Sequence, residues 1–309
     1  MRSTPILRIL SVPTRVVALA VCVGCAGPDA APVPKLLIIG IDGVRPDVLA
    51  AVPTPHLDSL IAAGTYSDRA QTGLPTISGP GWSSMLIGVW PAKHGVLNND
   101  FTTNHYDRYP DLFTRIESVR PELHTFVVAD WLPLVTTDAG GPLIARADSV
   151  VVLDGYDLGW AAADSQSTAI AAAYLRQAEV DAAFVYLGNP DETSHEAGSI
   201  GAEYRAAIAL ADRHVGELLA ALRSRPGYAR ENWLILVSTD HGRTEAGGHG
   251  GESAEERTIF YLASGPAAVV GTPAETPAIV DVAVTALTHL GIPIDPAWGL
   301  DGKRVVIAR

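Results

Sequence analysis

Three runs of this chain carry no charged residue, and each leads into side chains able to bind a metal. Leu36–Ile41 leads into Asp42, Ala183–Leu187 into Asp191 and His195, and Trp233–Val237 into Asp240 and His241. Apolar runs without polar alternation mark strands buried on both faces, as in a parallel sheet. Thr125–Ala129 has the same character, and Lys35 extends the first run. Arg257–Leu262 reads as a later strand and Arg304–Ala308 as a last edge strand. Pro55–Ala63, Ser165–Ala178, Ala202–Ser224 and Ala278–Leu290 show helical spacing instead; in the third, Ile208, Ala211, Val215, Leu218 and Leu222 share a face. Ser78 precedes Gly79-Pro80-Gly81 and an apolar stretch to Leu86, which predicts a turn with Ser78 near a helix N-terminus. Strands alternating with helices predict a three-layer α/β/α sandwich around a mostly parallel sheet. In such sheets ligands bind beyond the carboxyl ends of the strands, where the three metal-capable clusters fall.

The chain has 309 residues, 48% of them hydrophobic, enough for one large domain with a substantial core. Its net charge of −12 argues against binding a nucleic-acid duplex, which calls for a basic stripe. An anionic small substrate stays compatible, because bound metal reverses the local field. Arg2, Arg8 and Arg15 precede the apolar stretch Val16–Val23, and Gly24–Cys25 follow: the layout of an export signal, too short to span a bilayer. Val23-Gly24-Cys25 resembles a bacterial lipobox, with Cys25 as the acylated first residue of the mature protein. Cys22 stands where such boxes usually carry Leu, and an ordinary cleaved signal is the alternative. The expected organisation is therefore a signal over 1–25, an Ala/Pro tether over 26–34 and a catalytic domain over 35–309. It implies a periplasmic protein whose only membrane attachment is a lipid at Cys25. Both cysteines, Cys22 and Cys25, lie in this leader, so the exported domain holds no disulfide and relies on its core and its metals.

Singly, each cluster has an ordinary explanation. Asp42, in Ile-Gly-Ile-Asp-Gly, could cap the next turn. Asp191 and His195 share a face if a helix begins there. Asp240-His241-Gly242 places an oxygen and a nitrogen ligand side by side. His249 lies in Gly247-Gly-His-Gly-Gly251, where glycine lets the backbone bring an imidazole close to a metal. Jointly, three Asp and three His at strand ends suit zinc, with other divalent metals as alternatives.

These motifs, with Ser78-Gly-Pro-Gly-Trp and Gly88-Val-Trp-Pro-Ala-Lys-His94-Gly, resemble the alkaline phosphatase superfamily across residues 35–309. Within it they are most similar to the type I phosphodiesterase/nucleotide pyrophosphatase branch. The resemblance implies two zinc ions, one held by Asp191, His195 and His249. The other would be held by Asp42, Asp240 and His241 with the oxygen of Ser78. It makes Ser78 the nucleophile, where many phosphodiesterases carry Thr, with Thr76, Ser83 and Ser84 as rivals. Asn99, or its neighbour Asn98, would hydrogen-bond a phosphoryl oxygen. Tyr186 matches an aromatic that flanks a nucleotide base in some relatives, and also reads as a buried strand residue.

The implied reaction is hydrolysis of a small phosphate ester through a phospho-Ser78 intermediate. Three carboxylates, two Zn²⁺ and one alkoxide sum to zero charge, so the site accepts a phosphate anion. Diesters are expected ahead of monoesters, because Arg45, Arg69 and Lys93 are the only Lys or Arg between Asp42 and Asn99 and none adjoins Ser78. Arg45 and Arg243 are the residues that would change this by reaching the phosphate. A phosphomonoesterase is the alternative within the superfamily, followed by a phosphoethanolamine-type transferase, whose Gly-x-His-Gly-Gly resembles residues 247–251. A sulfatase needs Arg at the place of Trp82. A non-catalytic lipoprotein that binds metal or phosphate is the alternative from another class. Specificity is expected to reside in 98–123 and 132–165. Nothing in the chain sets an oligomeric state.

Overall fold

The structure, a computed structural model, describes residues 31–305. The signal, Cys25 and the first part of the tether lie outside the described residues. A seven-stranded sheet forms from β1 (Val33–Ile41), β2 (Gly64–Gln71), β3 (Thr125–Ala129), β4 (Ser149–Val152), β5 (Ala182–Leu187), β6 (Glu231–Ser238) and β7 (Thr258–Ser264), in the order β2-β7-β6-β1-β5-β3-β4. The pairs β6–β1, β1–β5, β5–β3 and β3–β4 are parallel, whereas β7 is antiparallel to both its neighbours. This is the expected α/β/α sandwich with a mostly parallel sheet.

Successive residues of the central strands supply two different cores, since side chains alternate faces along a strand. Leu37, Ile39 and Ile41 of β1, with Ala183, Val185 and Leu187 of β5, pack with Leu57, Leu175, Ile208 and Leu218. Those partners come from helices Pro55–Ala62, Trp160–Gln177 and Ala202–Arg223. Leu36 and Ile38, with Phe184 and Tyr186, pack with Trp82, Phe113 and Leu287. These belong to helices Ser78–Ile87, Leu112–Val119 and Asp281–His289. Each such side chain contributes about 1.5–3 kcal/mol when buried, so covering the sheet on both sides is the main source of stability.

The two strands absent from the sequence reading, β2 and β4, are the sheet's edges. Neither is an uninterrupted buried run: β4 alternates half-buried and exposed residues, and β2 carries Asp68 and Arg69 at a register shift. Charge and irregularity on an edge discourage pairing with another chain. At the C-terminus, Arg304 and Val305 are not in a strand, and the remainder of the expected edge strand lies outside the described residues. The helix with Asp191 spans Asn189–Ala197, with Pro190 in its first turn and Gly198, at φ 60°, ending it.

Candidate metal centre

Strands β6, β1 and β5 are neighbours, so their carboxyl ends lie side by side at the spacing of adjacent strands, roughly 4.8 Å. The loops beyond them are laced together. Asp42 N–H donates to Leu187 O (2.9 Å), Gly43 N–H to Asp240 Oδ1 (3.2 Å) and Val44 N–H to Thr239 Oγ1 (2.9 Å). Gly43 has φ +63°, and a Cβ there would run into Arg243 and Asp191, so only glycine fits. Gly81 serves on the other side, where a Cβ would press against Asp240.

Asp42, Asp240 and His241 bring one ligand atom each within 4.8 Å of one another, and Asp191, His241 and His249 do the same. His241 Nε2 stands at the junction, 3.2 Å from Asp240 Oδ2, 3.5 Å from Asp42 Oδ1 and 3.9 Å from Asp191 Oδ1. His195, one helical turn after Asp191, places its Nε2 3.3 Å from Asp191 Oδ2 and 2.9 Å from His249 Nε2. All six residues of the two expected ligand sets therefore converge, with His241 between the groups.

Asp42 Oδ1 and Asp240 Oδ2 are fully buried and lack any hydrogen-bond partner. Such atoms are costly unless something positive satisfies them. The imidazoles fit the same purpose. His241 Nδ1 lies 2.9 Å from Gly242 O and His249 Nδ1 lies 2.8 Å from Thr76 O, so each donates its ring proton to a carbonyl and turns an Nε2 lone pair toward the carboxylates. Burial, then the charges of Asp240 and Asp191, pushes the Asp42 carboxyl well up; burial and Asp191 push Asp240 up to about 7. Burial holds both His241 and His249 toward the neutral form. Orphaned carboxylate oxygens beside unprotonated imidazole nitrogens are the donor set of a divalent cation.

Ser78 opens its helix, and its Oγ lies 3.2 Å from His241 Nε2. The rival hydroxyls are engaged elsewhere. Thr76 donates to Gly251 O, Ser83 to Gly79 O, and Ser84 lies 3.0 Å from His94 Nε2. Asn99 Oδ1 accepts from Gly79 N–H (2.8 Å), which sets its amide beside the nucleophile position, whereas Asn98 Oδ1 accepts from Asp100 N–H in its own turn.

The model for type I phosphodiesterase/nucleotide pyrophosphatase matches residues 36–132 and 156–256, the greater part of the chain and every residue of this centre. The chain belongs to the type I phosphodiesterase/nucleotide pyrophosphatase family. A second model, described only as a domain of unknown function, matches residues 267–306. Ectonucleotide pyrophosphatase/phosphodiesterase family member 7 of Mus musculus is 24% identical over 74% of this chain and 54% of its own length, so the chain spans about half of that relative. Murine ectonucleotide pyrophosphatase/phosphodiesterase 5, solved with AMP, superposes with a TM-score of 0.65 at 15% identity, over 84% of this chain and 96% of that one. A 2-O GAG sulfatase superposes at 0.71, with 15% identity, over 88% and 73%. These likenesses show a shared fold.

Within this member of the family, Tyr186 is buried and its hydroxyl donates to Asp42 Oδ2 (2.7 Å), leaving no ring face for a substrate. Trp82, at the sulfatase Arg position, donates its Nε1–H to the same oxygen (2.9 Å). Neither of the two arginines is free to meet a phosphate. Arg45 pairs with Asp47 (2.6 Å). Arg243 is wholly buried and pairs with Asp191, a contact that the spacing of Asp240-His241-Gly242-Arg243 does not reveal. Burial alone would raise Asp191; Arg243, then His195, outweighs it and holds the carboxyl well below the usual range.

A second acidic pair, Asp130 and Asp164, supports the ligand helix from beneath and is missed by sequence reasoning. Asp164 accepts from Gly188 N–H (2.8 Å) and Asn189 N–H (3.2 Å), while both oxygens of buried Asp130 lack a hydrogen-bond partner and the charge of Asp164 adds to the effect of burial on it. Burial raises both carboxyls, Asp164 to about 7. A carboxyl raised on folding adds stability at low pH that is lost as pH rises toward its folded value. Asp130→Asn, which supplies a permanent donor to Asp164, is therefore expected to weaken the fall in stability between pH 5 and pH 8. Denaturant melts of both proteins at the two pH values check this; parallel curves would show that the pair holds no shared proton.

Proposed function

We propose that this chain is an exported two-zinc hydrolase of phosphate esters, with Ser78 as nucleophile and diesters as preferred substrates. The observation that carries the reading is the Ser78 hydroxyl at a helix N-terminus, 3.2 Å from His241 Nε2 and beside the orphaned carboxylate oxygens. Asp191, His195 and His249 would hold one zinc; Asp42, Asp240 and His241 would hold the other with Ser78. When bound, the metals lower the pKa of the attacking oxygen and stabilise negative charge on the phosphoryl group and the leaving oxygen.

The chain's own residues do the positioning. The helix beginning at Ser78 directs the positive end of its dipole at the transferring group. Asn99, fixed through its Oδ1 by Gly79 N–H, leaves its amide N–H₂ to donate to a phosphoryl oxygen. Attack by Ser78 Oγ on phosphorus breaks the bond to the leaving alcohol, which takes up the proton lost from Ser78. A diester leaves its second ester group on the phosphoryl-Ser78, and water then cleaves the Ser78 O–P bond, returning the hydroxyl and releasing a monoester. The fit to a diester follows from charge. Arg243 belongs in the count, so the loaded centre with its alkoxide carries one net positive charge. A diester's single negative charge balances that; a monoester dianion leaves one charge unmatched.

Three results are expected. Ser78→Ala should cost ~10³-fold or more in kcat while the protein still contains two zinc ions by elemental analysis, since a covalent nucleophile and its partners act as a unit. Near-normal turnover would move the attack to Thr76 or directly to water. A chromogenic diester should exceed the matching monoester in kcat/KM by a factor worth ~1–3 kcal/mol, a charge-assisted hydrogen bond left unmade. A monoester turned over faster would reverse the preference while leaving the zinc–Ser78 chemistry standing. For the leader, Cys25→Ala should release an active protein that otherwise fractionates with membranes, because several acyl chains anchor firmly where one does not. Among the described residues no helix is long and apolar enough to cross a membrane, so the lipid would be the attachment.

A further inference from the structure

Arg243 is the largest charged side chain buried completely in this fold, and its place is inside the metal centre. Its Nε–H donates to Gly43 O (2.9 Å), its Nη1 to Gly247 O (2.8 Å) and Asp191 O (3.2 Å), and its Nη2 pairs with Asp191 Oδ1. The guanidinium lies over the Tyr204 ring, 5.2 Å from its centroid, and Tyr204 OH donates to the same Gly43 carbonyl. A planar, permanently charged fork thus joins the loops after β1 and β6 to the helix after β5, and occupies a carboxylate oxygen turned toward His241 and His249.

The two ligand groups are consequently unlike. Around Asp42 and Asp240 the donors are fully buried, two carboxylate oxygens are orphaned, and Asp42 Oδ2 is bonded only by neutral donors. Around Asp191 a resident cation holds the carboxylate, and the side chain of His195 is 41% exposed. From this contrast we infer that Arg243 is a positioning residue that competes with the metal for Asp191. It makes the Asp191–His195–His249 position the weaker and more readily exchanged of the two, and it supplies that carboxylate's counter-charge while the metal is absent. The inference rests on the two-metal reading above.

The test is a titration of the chelator-stripped, full-length protein with Zn²⁺ against a competing indicator dye, alongside melting temperatures with and without metal. The wild type should fill in two steps of unequal affinity, and His195→Ala should abolish the weaker step alone. Arg243→Met should tighten the weaker step by about tenfold or more, since a neighbouring positive charge is removed. It should also melt much lower without metal and recover most of that loss when loaded. Arg243→Lys, which keeps the charge but not the fork, should keep the weaker step near its wild-type affinity even where it lowers the melting temperature. A merely structural strut would lower both melting temperatures equally and leave the affinities unchanged, which overturns the inference. A weaker step that becomes weaker still in Arg243→Met overturns it too. If Arg243→Met does not fold, the wild type and His195→Ala decide alone: indistinguishable steps, or loss of the tighter one, refute it. A wild type that takes up no metal at all sinks the metal centre itself, and this inference with it.

Discussion

The constraint on which the rest of this structure depends is the cost of keeping three carboxylates dry within a few ångströms of one another. Asp42, Asp191 and Asp240 are all buried at adjoining strand ends. Excluding one charge from water costs several kcal/mol, and like charges add to it. Trp82 and Tyr186, both part of one apolar core, aim their polar tips at Asp42. Gly43 N–H reaches Asp240, and Arg243 meets Asp191. The remaining oxygens are left for a cation. The centre is thus a local deficit of positive charge that the surrounding fold offsets only in part, and under the proposed reading a divalent cation would fill it.

This division explains what could be read from the sequence. The candidate ligands could be picked out because Asp42 and Asp240-His241 follow runs whose composition marks buried strands, because Asp191 follows another such run with helical spacing to His195, and because His249 sits among glycines. The hydrogen-bonding shell was not. Trp82 and Tyr186 sit in apolar surroundings where an aromatic needs no further explanation, and only the packing across β1 and β5 brings their polar atoms to Asp42. Arg243 follows the DHG motif so closely that it reads as a substrate cation; its burial under the loops after β1 and β5 turns it inward. Asp130 and Asp164 lie 34 positions apart in the sequence, with β4 and a short helix between them, and nothing local pairs them. The edge strands escaped for other reasons: Asp68 and Arg69 interrupt β2, and β4, though apolar, is only four residues long.

The same scaffold superposes on sulfatases as well as on phosphodiesterases, which shows how little of the chemistry the sheet itself dictates. In this chain Ser78 stands at the start of the helix after β2. Here a serine is followed four residues later by a tryptophan committed to Asp42, so the position is spent on holding a ligand.

The ligands also differ in how they are anchored. Asp42 and Asp240 continue strands locked in register on both sides, so moving either means slipping the sheet, whose period would also exchange its two cores. His249 rides a glycine loop, and His195 the exposed side of a short helix. Asp42 and Asp240 therefore share the rigidity of the sheet, while His195 and His249 depend on their own helix and loop. If the proposed metal chemistry holds, the second pair is where a substitution could alter metal choice without unmaking the fold.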